Sequence, residues 1–347
     1  MEHRNQYPIL TMVVPCYNEE EVIHETTSRL SSVIHNLIED KQISPLSTIL
    51  YVDDGSKDRT WENILELNLT NPFVSGLKLA RNVGHQNALL AGLLHAKAKS
   101  DCVISMDADL QDDVNVIPEF IDKYKEGYDI VYGVRKDRSS DTYFKRNSAM
   151  MFYRFLRRMG VNIVTNHADY RLMSKRALEG LEQFKEVNLF LRGVIPLIGY
   201  KSTEVYYERH PRFAGESKYP LKRMLSFALD GIVSFSISPI RAVSLIGVIF
   251  SLLSIILAIY VFVSKLYGNA VSGWASLMIS IWFIGGVQLI SLGLIGEYIG
   301  RIYKEVKNRP KYIAEVKLEA QVVQDVQDVF QDQRYGLQPT QVLIHGG

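Results

Sequence analysis

Three short acidic segments are the first sign of chemistry in this sequence. Pro15-Cys-Tyr-Asn-Glu19, Asp53-Asp-Gly-Ser56 and Asp107-Ala-Asp-Leu-Gln-Asp-Asp113 each follow an apolar run. Carboxylates two residues apart on an extended segment, as at Asp107 and Asp109, can converge on one hard cation. Mg2+ or Mn2+ held by one or two carboxylates and completed by substrate phosphates is the arrangement that such a pair suits. The same acids suit ribose hydroxyls and the amide groups of a base. An isolated Asp-x-Asp is common in solvated turns. This one closes an apolar run and has two other acidic ends before it, which favours a metal. Neither a GxGxxG nor a GxxxxGK[ST] pattern is present, so the dinucleotide and P-loop fingerprints do not apply. Cys16 and Cys102 are the only cysteines, too few for a disulfide framework or a zinc cluster, and read as reduced, buried thiols.

Side chains placed in this way need strands to present them. Residues 9–14, 48–52, 74–79, 102–106 and 129–132 are short runs rich in strand formers, and 20–38 and 86–98 carry helical patterns. Strand-helix alternation over the first 135 residues predicts an α/β fold with a mainly parallel sheet covered on both faces. In such sheets ligands bind at the carboxyl ends of the strands.

The remainder of the chain is different. Its 347 residues suggest about two domains, and 39 Lys+Arg against 38 Asp+Glu argue against nucleic acid as a partner. From 242 to 296 only Lys265 is charged, in 55 positions where the average of 22% would give about twelve. Residues 243–263 and 274–296 are uncharged runs, each long enough to cross about 30 Å of hydrocarbon. The short loop 264–273 makes them an antiparallel hairpin. Lys218, Lys222, Arg223 and Arg241 precede the first run, and Arg301, Lys304, Lys307, Arg309 and Lys311 follow the second. The positive-inside rule then puts both termini in the cytosol. No signal peptide precedes the first strand, so the polar part is expected there too. Residues 221–235 are apolar at Leu221, Met224, Leu225, Ala228, Leu229, Ile232 and Val233, an amphipathic helix that fits the membrane interface or a packed position on the polar domain. The expected organisation is a catalytic domain at 1–215, an interfacial segment at 216–240, a membrane hairpin at 241–312 and a polar tail at 313–347.

The acidic segments, with Arg81-Asn-Val-Gly84, resemble the inverting glycosyltransferases of family 2. More narrowly they are similar to its polyprenyl-phosphate branch, which includes dolichol-phosphate mannose synthase and bacterial undecaprenyl-phosphate glucosyltransferases. Arg212-Phe-Ala-Gly-Glu-Ser-Lys-Tyr219 and Leu294-Ile-Gly-Glu-Tyr-Ile-Gly-Arg-Ile-Tyr303 extend the likeness over roughly residues 8–312. The two-helix hairpin points to the bacterial members. The resemblance implies a Rossmann-like GT-A fold. It implies that Pro15, Tyr17, Glu19 and Asp53 hold the base and ribose, with Arg81 also on the donor. Asp54 either joins them or makes a turn or cap hydrogen bond. Asp107, Asp109 and Gln111 would hold the donor and Mg2+ or Mn2+, Asp109 above all. Asp112 and Asp113 read as solvated or capping.

By the same resemblance, Arg212 and Lys218 lie on a loop that closes over the diphosphate, and Arg135 meets the acceptor phosphate. Lys145, Arg146 and Arg171 are further candidates for that phosphate. Asp169 is a catalytic base, an ion-pair partner of Arg171, or a sugar-hydroxyl acceptor. His85 and His167 read as hydrogen-bonded neighbours. A lipid phosphate is already anionic, so it needs positive charge more than it needs a base. The implied reaction is inverting transfer of glucose from UDP-glucose to undecaprenyl phosphate, for glycosylation of the cell envelope. UDP-N-acetylglucosamine and GDP-mannose are the alternative donors. A processive polysaccharide synthase and a non-catalytic nucleotide-sugar-binding accessory are the alternative functions, and no QxxRW motif supports the former. Implied partners are the nucleotide sugar, the polyprenyl lipid, the membrane, a second copy of the chain, a flippase and a downstream glycosyltransferase. The implied location is the bacterial cytoplasmic membrane, spanned more than once.

Overall fold

Strands without alternating polarity must be buried on both faces, and the first two are. Every residue of β1 (Leu10–Cys16) and β2 (Thr48–Asp53) is buried. The computed structural model describes residues 4–136, 167–186, 191–208, 238–266 and 273–322. They form two compact units, one ending at 208 and resuming at 310, the other holding 238–309. The first unit continues with β3 (Val74–Leu79), β4 (Cys102–Ser105), β5 (Ile130–Arg135), β6 (His167–Ser174), β7 (Ser202–Tyr207) and β8 (Ala314–Leu318). Among the described residues these make one sheet in the order β7-β5-β6-β4-β1-β2-β3-β8.

The pairing is mixed rather than mainly parallel. β1 runs parallel to β2 and β4, β2 to β3, and β5 to β7. β6 is antiparallel to both β4 and β5, and β8 is antiparallel to β3. β8 arises from the segment expected to be a polar tail. Ala314, Val316 and Leu318 alternate with Glu315 and Lys317 over five residues, a strand's period but a short one. Its seat is well made. The Asn68 amide donates to the carbonyls of Val74 at 2.7 Å and Glu319 at 2.9 Å, the Ala80 amide donates to Ile313 O at 3.0 Å, and Lys78 pairs with Glu315 at 3.5 Å.

Helices α1 (Ile23–Glu39), α2 (Thr60–Thr70), α3 (His85–Lys97), α4 (Ile117–Lys125), α5 (Lys175–Glu182) and α6 (Leu191–Val194) complete this unit among the described residues. α1 buries Ile23, Thr26, Thr27, Leu30, Ile34 and Leu37, one stripe at helical spacing. α3 approaches β1 and β2 so closely that a Cβ at Gly92 would lie 2.4 Å from Val13 Cγ1 and 2.7 Å from Val52 Cγ2.

The second unit contains α7 (Ser238–Leu266) and α8 (Trp274–Val306), of 29 and 33 residues. Phe250 of α7 and Phe283 of α8 have ring centroids 5.3 Å apart. The expected runs 243–263 and 274–296 lie inside these helices, and α8 continues past the second through a Glu297–Arg301 pair. Among the described residues one stretch, Phe283–Val306, is long and apolar enough to cross a membrane. The amphipathic stretch 221–235 lies outside the described residues, as does part of the loop 264–273.

Gly92→Ala would force a methyl group onto two valines that are 0% exposed. It should lower stability by about 1–3 kcal/mol, measured by urea unfolding.

Candidate active site

Parallel pairing within β1–β4 and between β5 and β7, with β6 antiparallel to both β4 and β5, brings the carboxyl ends of β1 to β5 and β7 to one edge, where β6 begins. The turns after β1 and β2 are laced together. The Asp54 amide donates to Cys16 O at 2.9 Å, Asn18 N to Ser56 Oγ at 3.0 Å, Lys57 N to Asn18 Oδ1 at 2.9 Å, and Glu19 N to Thr60 Oγ1 at 2.8 Å. Asn18 sits at φ 53, a left-handed conformation that Asn tolerates. Pro15 is buried, and Tyr17 and Glu19 are half-buried beside it. Asp53 is 0% exposed and accepts from Ser56 N through Oδ1, while its Oδ2 has no partner among the described residues. Burial raises its pKa against those hydrogen bonds. A buried acceptor left unmet at a ligand-facing edge fits an N–H or O–H brought by a ligand.

Asp54, two-sided in the sequence, makes a turn hydrogen bond. Its carboxylate accepts from Val83 N at 2.7 Å and Gly84 N at 2.9 Å, at the start of α3. Gly55, at φ 66, lets the backbone approach the same turn, where a Cβ would lie 2.6 Å from Asn82 N. Arg81 is exposed on this turn, and His85 opens α3.

After β4, Met106 N donates to Val13 O at 3.1 Å, and the chain then turns with Leu110 at φ 55. A buried leucine in the left-handed region costs about 1–2 kcal/mol, so tertiary packing must hold it there. Asp107 and Asp109 are partly exposed, and Asp109 Oδ1 accepts from Gln111 N at 3.2 Å. The Asp107 carboxyl is pushed up to about 6 by burial and by the charges of Asp169, Asp112 and Asp109, against the pull of His85. A divalent cation would relieve that field. Among the described residues no three His, Cys, Asp or Glu side chains are gathered to hold a metal. Two carboxylates and an amide, with a ligand's phosphates supplying the rest, fit Mg2+ or Mn2+.

Asp169, at the start of β6, is the most heavily partnered acid of the edge. It accepts from Arg171, from Arg192 Nε at 3.2 Å and Nη2 at 3.1 Å, and lies 3.3 Å from His85 Nε2. His85 Nε2 is also 3.7 Å from Asp107 Oδ1. Burial alone would raise the Asp169 pKa, but the His85 hydrogen bond and the two guanidinium groups hold it well below the usual carboxylate range. A carboxylate this acidic is a weak base. The ion pair with Arg171 anticipated from the sequence is therefore one arm of a larger cluster. Arg192 was missed, because α6 is only four residues long and 23 positions from Asp169.

Two expectations are corrected. Arg171, expected among the cations open to the acceptor phosphate, is 1% exposed and paired with Asp169. The Asp112 side chain is 1% exposed rather than solvated, held between Tyr207 and Arg135, whereas Asp113 caps the following turn through Asn115 N at 2.9 Å. Arg135 Nε donates to Tyr207 Oη at 3.2 Å. Lys145, Arg146, Arg212 and Lys218 lie outside the described residues.

Residues 11–181 match Glycosyl transferase family 2, and residues 238–302 match the GtrB C-terminal hairpin. YkoT of Bacillus subtilis, an uncharacterized glycosyltransferase, is 58% identical over 315 residues, 91% of this chain and 94% of that protein. The bactoprenol glucosyl transferase of Shigella phage SfII is 41% identical over 308 residues, 88% of this chain and 96% of its own. Among solved structures, the mannosyltransferase PcManGT from Pyrobaculum calidifontis, in complex with GDP-Man and Mn2+, is 15% identical, with a TM-score of 0.40 and 88% of each chain covered.

Asp169→Asn removes the anion that offsets buried Arg171 and should cost about 3 kcal/mol at pH 7. Because the folded pKa is depressed, this stabilisation is complete above about pH 4 and is lost as pH falls toward the folded value. Denaturant titrations of wild type and variant should therefore converge only in acid.

Proposed function

The chain belongs to glycosyl transferase family 2, and from that premise we propose that it transfers glucose from UDP-glucose to undecaprenyl phosphate, with inversion, at the cytosolic face of the bacterial membrane. The reading is supported above all by one combination. The Asp107–Asp109 pair, with Arg135 at the end of β5 on the same edge of the sheet, occurs in one chain with a hairpin segment, and relatives matched across both are named bactoprenol glucosyl transferases.

Asp53, with Pro15, Tyr17 and Glu19, takes the base and ribose, and its unmet Oδ2 is the acceptor for a base N–H or a ribose hydroxyl. Arg81 and Lys218 take the diphosphate. Asp107, Asp109 and Gln111 hold Mg2+ or Mn2+, which when bound neutralises charge on the departing diphosphate. Arg135, with Arg146, offsets the repulsion between the lipid phosphate and the diphosphate, over which the loop of Arg212 and Lys218 closes. An oxygen of that phosphate attacks the anomeric carbon from the face opposite the nucleotide. The bond to the diphosphate breaks, and UDP leaves with the electron pair. A phosphate dianion has no proton to surrender, which agrees with an Asp169 too acidic to serve as a strong base. Asp169 instead orients His85 and Arg192.

α7 and α8 both cross the membrane, with 1–215 and both termini in the cytosol and 216–240 in the interface. The lipid-linked glucose then passes to a flippase and a downstream transferase.

Membranes containing the protein, given radiolabelled UDP-glucose and undecaprenyl phosphate, should yield label extractable into organic solvent, with UDP-N-acetylglucosamine and GDP-mannose giving less. Chelation should abolish transfer. Asp109→Ala should lower kcat by about 100-fold or more. No lipid product from UDP-glucose, or wild-type turnover by Asp109→Ala at saturating metal, would overturn the reading.

A further inference from the structure

We propose that Asp112 and Tyr207 are positioning residues that hold the Arg135 guanidinium in place for the acceptor phosphate. The proposal rests on the acceptor role given to Arg135 above and adds the device that sets its reach.

The three residues come from separate parts of the sheet's functional edge. Arg135 and Tyr207 are register partners at the ends of β5 and β7, and Asp112 follows the Asp107–Asp109 turn. The hydrogen bonds have one direction. Arg135 Nε–H donates to Tyr207 Oη at 3.2 Å, and the Tyr207 hydroxyl donates its own proton to Asp112 Oδ1. The direct approach of Arg135 Nη2 to the same oxygen is long, at 3.5 Å. Asp112 Oδ2 is buried and has no partner among the described residues.

An arginine and a carboxylate left to themselves pair through two parallel, short N–H···O bonds that use both oxygens. Here the pair meets at one point only, through Nη2 at 3.5 Å. Tyr207 takes the Nε–H, only one carboxylate oxygen is engaged, and the fork is tethered without being consumed. The Arg135 side chain keeps 28% of its surface exposed, against 1% for Asp112. The negative end is thus sealed in, and the positive end is left at the edge.

The spacer cannot move easily. Tyr207 is 1% exposed, and its ring stands edge-on to Tyr170 at 5.3 Å, which in turn meets Phe120 at 4.8 Å. Tyr170 Oη donates to Asp113 O at 3.0 Å, tying the same aromatic stack to the turn that carries Asp112. A Cβ at Gly133 would lie 3.0 Å from Tyr170 Cδ1 and 3.2 Å from Tyr207 Cε1, so the backbone lies close against both rings. A hydroxyl fixed this firmly sets the direction of the group that it binds.

Tyr207→Phe keeps the ring and removes the spacer hydroxyl, allowing Arg135 to close onto Asp112. With full-length enzyme in detergent, the KM for undecaprenyl phosphate should rise about tenfold while the KM for UDP-glucose stays within about twofold. Asp112→Asn should act in the same direction. In an Arg135→Ala background, itself raised in acceptor KM, neither change should add anything, because the three act as one unit. Unchanged acceptor KM in both single variants beside a raised value in Arg135→Ala would overturn the proposal alone. So would additive effects, or a parallel rise in both KM values accompanied by a lower unfolding temperature. An Arg135→Ala enzyme with wild-type acceptor KM would remove the acceptor role of Arg135 and this proposal with it.

Discussion

Like charges at short range repel strongly in a low-dielectric interior, and Asp107, Asp109, Asp112 and Asp169 all lie at one edge of this sheet. The protein divides them into two classes. Asp169 and Asp112 are buried and receive cations from the chain itself: His85, Arg171 and Arg192 on the first, Arg135 on the second. Asp107 and Asp109 keep part of their surface exposed, and His85 Nε2 lies 3.7 Å from Asp107 Oδ1. The field of these acids is felt at Asp107, whose carboxyl is pushed up to about 6, and on the proposed reading a cation and a nucleotide diphosphate arrive there. The buried acids are thus neutralised from within, and that pairing builds the edge.

Holding such an edge requires a backbone that does not yield. The lacing of the turns after β1 and β2, the clasp of Asp54 on Val83 and Gly84, and the left-handed Leu110 each fix one strand end relative to the next. Close packing supplies the rest. α3 can bring His85 to Asp169 because Gly92 lets the same helix lie directly on Val13 and Val52. The small residue sits two turns below the functional one, and the helix carries its position upward.

Much of this was legible in the sequence wherever the determinants are local. β1 to β4 are apolar runs, each closing in an acidic or polar turn, and the acid pair stood out because of where its strand stops. The unread parts depend on distant chain. Asp112 sits in an evidently polar run, and its burial is set by Tyr207, 95 residues away. Arg171 looked free to face a ligand, but β6 is inserted between β4 and β5, and alternation puts Arg171 on the same side as Asp169. Arg192 carries no motif in its own helix and acquires its role only by reaching a strand 23 residues earlier. β8 is short and follows two long apolar helices that dominate any reading of its neighbourhood.

That last strand imposes an order on biosynthesis. β3 leaves the ribosome early, and its outer edge exposes unpaired amides and carbonyls until Ala314–Leu318 has also emerged. Between the two events the whole of α7 and α8 is made. The sheet is therefore closed last, by chain that can be translated only after both long helices. A nascent polypeptide halted before that point carries its acidic edge on an unfinished sheet, so completion of the catalytic unit reports that the helical hairpin has been synthesised.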